Sequence, residues 1–128
     1  MTILEIDELK AGPELDALIA EKVMGWEYLP HRLDQGWPWK VQDGVRATKC
    51  PKYSTQMTSA WEVAEKISRE QFSIEFRLVS MPSPPHEQDV WRVFILTNAD
   101  KTICGEGTAP LAICRAALNL VNENFYDE

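Results

Sequence analysis

The chain is short of the residues that most enzyme and metal sites are built from. It has only two histidines and three cysteines in 128 residues. Cys50, Cys104 and Cys114 are odd in number and form no CxxC pair, so they give neither a disulfide framework nor a zinc-ligand spacing. Three free thiols are expected, with no metal and no cofactor. The six glycines make no Walker loop and no dinucleotide turn, and GxSxG and HExxH are missing. No catalytic residue is assigned. The chain has no apolar run near the roughly 18 residues that cross a bilayer. Its start, MTILEIDELKAG, lacks the basic and apolar regions of a secretory signal. A cytoplasmic protein without a membrane partner is expected. Basic residues are outnumbered 13 to 20, giving a net charge of −7. Such a chain repels phosphate backbones, which disfavours general nucleic-acid binding; the acidity reads as solubility.

What remains is ordinary globular composition, 45% apolar and 26% charged. The length is that of one domain, residues 1–128, able to bury roughly two thirds of its unfolded surface. Periodicity then divides the chain. Pro13 suits a first helical turn, Leu15, Leu18, Ile19 and Val23 make one stripe, and Gly25 can end the helix in a left-handed conformation. Trp26 is expected to pack back on that stripe. Between residues 27 and 53, Asp43-Gly44 signals a hairpin joining WPWKVQ to VRATKC, with Trp39 opposite Thr48 and Pro38 holding the first strand to an edge. In PKYSTQMTSAWEVAEK, Ser54 or Thr55 is the expected N-cap. Met57, Ala60, Trp61, Ala64 and Ile67 recur at helical spacing, which makes Trp61 a core anchor.

Residues 72–80 alternate, with Phe72, Ile74, Phe76 and Leu78 on one face and Ser73, Glu75 and Arg77 on the other. Residues 89–97 are apolar on both faces, as in a central strand covered on both sides. The Pro-rich MPSPPHEQ separates the two. TICGEG offers a short third strand. Thr108 and Pro110 open a last helix whose stripe is Leu111, Cys114, Leu118, Val121 and Phe125, widened by Ile113, Ala117 and Leu120. Arg115 beside it reads as a surface ion-pair partner. The sum is an α+β layered domain with three main helices and an antiparallel sheet.

Three segments, LDALIAEKVMGWEY, YSTQMTSAWEVAEK and TAPLAICRAALNL, together resemble the phage ABA-sandwich domain family of bacteriophage and prophage proteins. The resemblance rests on the Met24-Gly25-Trp26 turn, the Tyr53-Ser54-Thr55 cap with Trp61, and the run Ala112 to Ala117. It implies a helix–sheet–helix layered fold and a phage or prophage origin, so that the expected cytoplasm is that of a bacterial host. It carries no catalytic residue over.

One region stands above background. Tyr28, Trp37, Trp39 and Tyr53 accompany His31, Arg32, Lys40, Arg46, Lys49 and Lys52, so residues 31–52 are net basic in an acidic chain. Aromatic faces stack on bases, cations hold phosphate, and helix N-termini at Ser54 and Thr108 offer N–H groups to an anion. The alternative is that these aromatics cover a core edge. The expected site, if one is present, is Trp37, Trp39, Arg46, Tyr53, Ser54 and Thr55. It would bind a small anionic or nucleotide-like ligand, in a phage setting a signal of host defence. A second class is an inhibitor or accessory factor that binds a host or phage protein. Assembly of identical chains is left open. His31 and His86 read as solvated loop residues.

Overall fold

The computed structural model describes residues 6, 8–29, 38–40, 47–70, 73–80, 90–97 and 102–122. Helix α1 runs Pro13–Leu18 and continues as a wider π turn, Ile19–Val23. Pro13 stands at its start, and Gly25 after it has φ 75°, the left-handed conformation that ends a helix. The Trp26 N–H donates back to the Ala20 carbonyl, which turns the half-buried indole onto the core. Three two-residue strands follow, β1 (Glu27–Tyr28), β2 (Trp39–Lys40) and β3 (Ala47–Thr48), in antiparallel order β1-β2-β3. Trp39 lies opposite Thr48, the register that the hairpin reading gives; Asp43-Gly44 itself is outside the described residues. Pro38 does not confine β2 to an edge. It precedes the strand, so its missing N–H breaks no ladder, and its carbonyl accepts from the Leu29 N–H.

Helix α2 spans Met57–Arg69 and buries Ala60, Val63, Ala64 and Ile67. Trp61 is not the expected core anchor: it is 47% exposed, and Met57 is exposed too. Each helical residue advances about 100°. With Val63 in the stripe, the buried face centres near Ala60 and Ile67, and Trp61 falls roughly 110° away. The cap also differs. Gln56 occupies it without a side-chain cap bond, and Ser54 is engaged elsewhere.

The larger sheet is antiparallel, β4 (Ser73–Ser80), β5 (Val90–Leu96) and β6 (Thr102–Gly107), in that order. β5 is central, as its sequence implies. Its inward Val93 and Ile95 are buried, whereas Ile74 and Phe76 of β4 are only partly so. The expectation that β5 is covered on both sides is not met by the described residues. Phe94 is half-buried on the outer face, and Leu96 is 47% exposed. Arg92 and Glu106 pair across that face at 2.5 Å, Arg77 pairs with Glu75 at 3.0 Å, and the Arg77 guanidinium lies 5.0 Å over the Phe94 ring.

Helix α3 (Ala109–Asn122) is packed against β5, β6, α2 and the Ile19–Val23 turn. Its buried residues run almost continuously from Ala112 to Leu120, as in a helix enclosed on most sides. The contact with β6 is backbone on backbone. A Cβ added at Gly105 would lie 2.3 Å from the Ala116 nitrogen and 2.5 Å from the Ala112 oxygen. Only glycine leaves room there, and only alanines on the facing helix turns allow the approach. The Asn119 amide then donates to the Cys104 carbonyl at 2.8 Å. Arg115 is not a surface ion-pair partner. It donates to the Leu9 carbonyl at 2.7 and 3.2 Å and to the Glu106 carbonyl at 2.7 Å, tying the N-terminal segment to β6.

Gly105→Ala should therefore lower stability by about 1–3 kcal/mol or more, the range for overpacking where the neighbours cannot yield. Denaturant unfolding measures it; a loss below about 0.5 kcal/mol, the surface range, would show that α3 stands further from the sheet.

Candidate functional site

Four of the six expected contact residues, Trp39, Tyr53, Ser54 and Thr55, lie within the described residues. Trp37 and Arg46 lie outside the described residues. Trp39 is 5% exposed, its ring 5.2 Å from that of Tyr28. Tyr53 is fully buried, edge-on to Trp26 at 6.2 Å. Ser54 is fully buried as well, whereas Thr55 is exposed. Of the expected set within the described residues, solvent reaches Thr55 freely and the others hardly at all.

Ser54 has a structural task. Its N–H and Oγ donate to Asp16 Oδ1 at 2.8 and 2.6 Å, and its Oγ accepts from the Gly12 N–H at 2.9 Å. Asp16 is itself buried, on α1. A chain turn supports the geometry: the Gln56 and Thr55 N–H groups both donate to the Lys52 carbonyl. This turn brings Ser54 against α1 instead of the first turn of α2. Sequence reasoning missed the pairing because Asp16 and Ser54 are 38 residues apart, and a serine before a helix carries an equally good local reading.

Around this pair the chemistry is subdued. Burial, then the Asp16 charge, pushes the half-buried Cys50 thiol from 9.0 to about 11. Burial and then Asp16 also push Cys114 well up. Tyr53 is raised too, first by burial and then by Cys50. A thiolate is the reactive form of cysteine, so these thiols are held inert at neutral pH. Ser54 Oγ is hydrogen-bonded and out of solvent, which is no position for a nucleophile. Among the described residues no group of three or more His, Cys, Asp or Glu side chains is placed to hold a metal.

The open surface lies elsewhere. Between α2 and β4 runs a groove of about 600 Å³ lined by Trp61, Ala64, Glu65, Ser68, Ile74 and Phe76. The Trp61 and Phe76 rings stack at 5.9 Å with 23° between their planes. A second depression of about 540 Å³ lies on the outer sheet face by Arg92, Phe94, Glu106 and Arg115. Both arginines there are already engaged, by Glu106 and by main-chain carbonyls. Trp61 could have been found from sequence by including Val63 in the α2 stripe, which turns the indole outward.

A family model described as the phage ABA sandwich domain matches residues 17–118. The chain belongs to that family. No curated protein and no solved structure matches it. The match takes in all three segments that carry the resemblance, apart from the ends of the first and last. Each has a visible role in this phage ABA sandwich domain. Met24-Gly25-Trp26 ends α1, Tyr53-Ser54-Thr55 is the turn that meets Asp16, and Ala112 to Ala117 is the run that lies on Gly105. None of the described helices is long and apolar enough to cross a membrane.

Asp16→Ala would leave the Ser54 N–H buried without an acceptor and its hydroxyl with only the Gly12 carbonyl, 3.4 Å away. Each such group costs about 1–3 kcal/mol, so the variant should lose at least that much in denaturant unfolding; a change under about 0.5 kcal/mol would mean that water replaces the carboxylate. Alkali should act on the same cluster. The Cys50 thiol is raised in the folded state, so its contribution is fully present below about pH 9. It is lost as pH rises toward about 11, because the unfolded chain ionises first. Tyr53 and Cys114 act in the same direction. Unfolding midpoints should fall between about pH 8 and about pH 10; equal midpoints would place these groups in water.

Proposed function

We propose that this phage ABA sandwich domain is a non-enzymatic accessory protein that works by protein contact, with the face around Trp61 as its contact surface. The observation that carries the reading is Trp61 itself, 47% exposed and stacked on Phe76 in an open groove beside an edge strand. A large aromatic left half in water forgoes the free energy of burial. Tryptophan is also the side chain most enriched where protein interfaces concentrate their energy. Glu65 and Ser68 give the groove a polar border, as an interface rim has.

A second reading keeps the small anionic or nucleotide-like ligand, held at the 28–55 face, where it could sequester a host-defence signal. Its support is the start of α2, which has no side-chain cap and no acid in its first turn, with Thr55 and Gln56 exposed beside it.

Trp61→Glu should fold normally, with a stability change under about 1 kcal/mol as expected of an exposed site, yet lose whatever protein the wild type captures from host or phage lysate. Capture unchanged in the variant, or no capture by the wild type, counts against the contact reading. Thermal shift on both proteins separates the readings: nucleotides that raise the melting temperature of both equally would favour the ligand.

A further inference from the structure

β4 pairs with β5 on one side, and among the described residues no strand pairs with its other side. An open edge offers a row of free N–H and C=O groups to any extended chain, and proteins that do not use an edge blunt it with bulges, prolines or charged side chains. From Ile74 to Leu78 this edge has no bulge and no proline, its irregularity lying beyond, between Leu78 and Ser80, and its charges are not of one sign that would repel a copy. Its charged residues are of opposite sign and stand symmetrically about Phe76, in the order Ile74, Glu75, Phe76, Arg77, Leu78.

That order selects a partner. When two copies of one strand pair antiparallel, residues directly opposite share a face of the sheet, so the two-fold axis passes through one residue. An axis at Glu75 sets carboxylate against carboxylate, and an axis at Arg77 sets guanidinium against guanidinium. Like charges directly opposite destabilise a pair of strands, and opposite charges stabilise it. An axis at Phe76 sets Glu75 against Arg77 twice and Ile74 against Leu78 twice. Of these three central registers only that one is complementary in every pair. It also places the aromatics: the half-buried Phe76 would face its own copy with Cβ atoms about 5 Å apart. The Trp61 ring, 5.9 Å from Phe76, would then be covered by the other copy's Trp61 and Phe76.

We propose that a second copy of this chain pairs antiparallel along β4 with its two-fold axis at Phe76, joining two three-stranded sheets into one of six strands. The proposal rests on the reading of the Trp61 face as a contact surface and names the partner. Glu75 and Arg77 already pair within a chain, so the joint brings four alternating charges together on the outer face.

Sedimentation equilibrium of the full chain tests it. The wild type should show twice the 14.6 kDa of one chain. Glu75→Arg and Arg77→Glu, each alone, set like charges opposite and should weaken the dimer by about tenfold or more, with circular dichroism unchanged. Glu75→Arg with Arg77→Glu together restores opposite signs and should restore the dimer. A wild-type monomer, a dimer indifferent to the single changes, or a double variant that stays monomeric overturns the proposal. A wild-type monomer that still captures another protein through Trp61 removes self-pairing while leaving the contact reading in place.

Discussion

The approach of α3 to β6 sets the spacing of the whole molecule. Gly105 has no Cβ because the backbone of Ala112 to Ala116 occupies that place. Once the helix lies that close, its other faces must be filled at the same depth. α2 supplies Ala60, Val63, Ala64 and Ile67, and the π turn at the end of α1 supplies Ile19, Ala20 and Val23. Small residues bring the layers together, and branched aliphatic ones fill between them. A packed interior of this kind resists even one added methyl group.

Against that core the polar contacts act as ties. Asp16 takes both donors of Ser54, so α1 is joined to the turn before α2 by a buried carboxylate. Arg115 joins the N-terminal segment to β6 through two carbonyls. Asn119 holds α3 to the Cys104 carbonyl. In each case a polar side chain of one element is spent on main-chain or hydroxyl groups of another. The same packing, with the Asp16 charge, pushes the Cys50 and Cys114 thiols toward their neutral form.

The function proposed for this chain accordingly uses an outward face that the core does not consume. Among the described residues the helices cover one side of the sheet, and α2 is turned so that Trp61 stands over β4. Along β4, opposite charges, a half-buried aromatic and an edge that pairs with no other strand among the described residues coincide, and strand-mediated contacts are built from such elements.

The sequence by itself determined the elements. Alternation at residues 73–78, the continuous apolar run at 90–96, the proline starts at 13 and 110 and the glycine stop at 25 all act within a few residues of chain, so local rules read them. The Trp39 to Thr48 register was equally local, set by the count of residues between the strands. The family was legible for the same reason, since its three segments are helices with their turns. Tertiary structure alone decided which way the ambiguous side chains face. Trp61 turned outward because Val63 enters the stripe when α3 lies beneath it. Ser54 left its helix because Asp16, 38 residues away, accepts from both its N–H and its hydroxyl, whereas a helix start only offers N–H donors to the serine oxygen. Tyr53 and Trp39 went inward because Trp26 and Tyr28 were there to pack against. Each outcome is a competition between a local preference of about 1 kcal/mol and a buried contact worth more, and only the folded chain brings the competitors together.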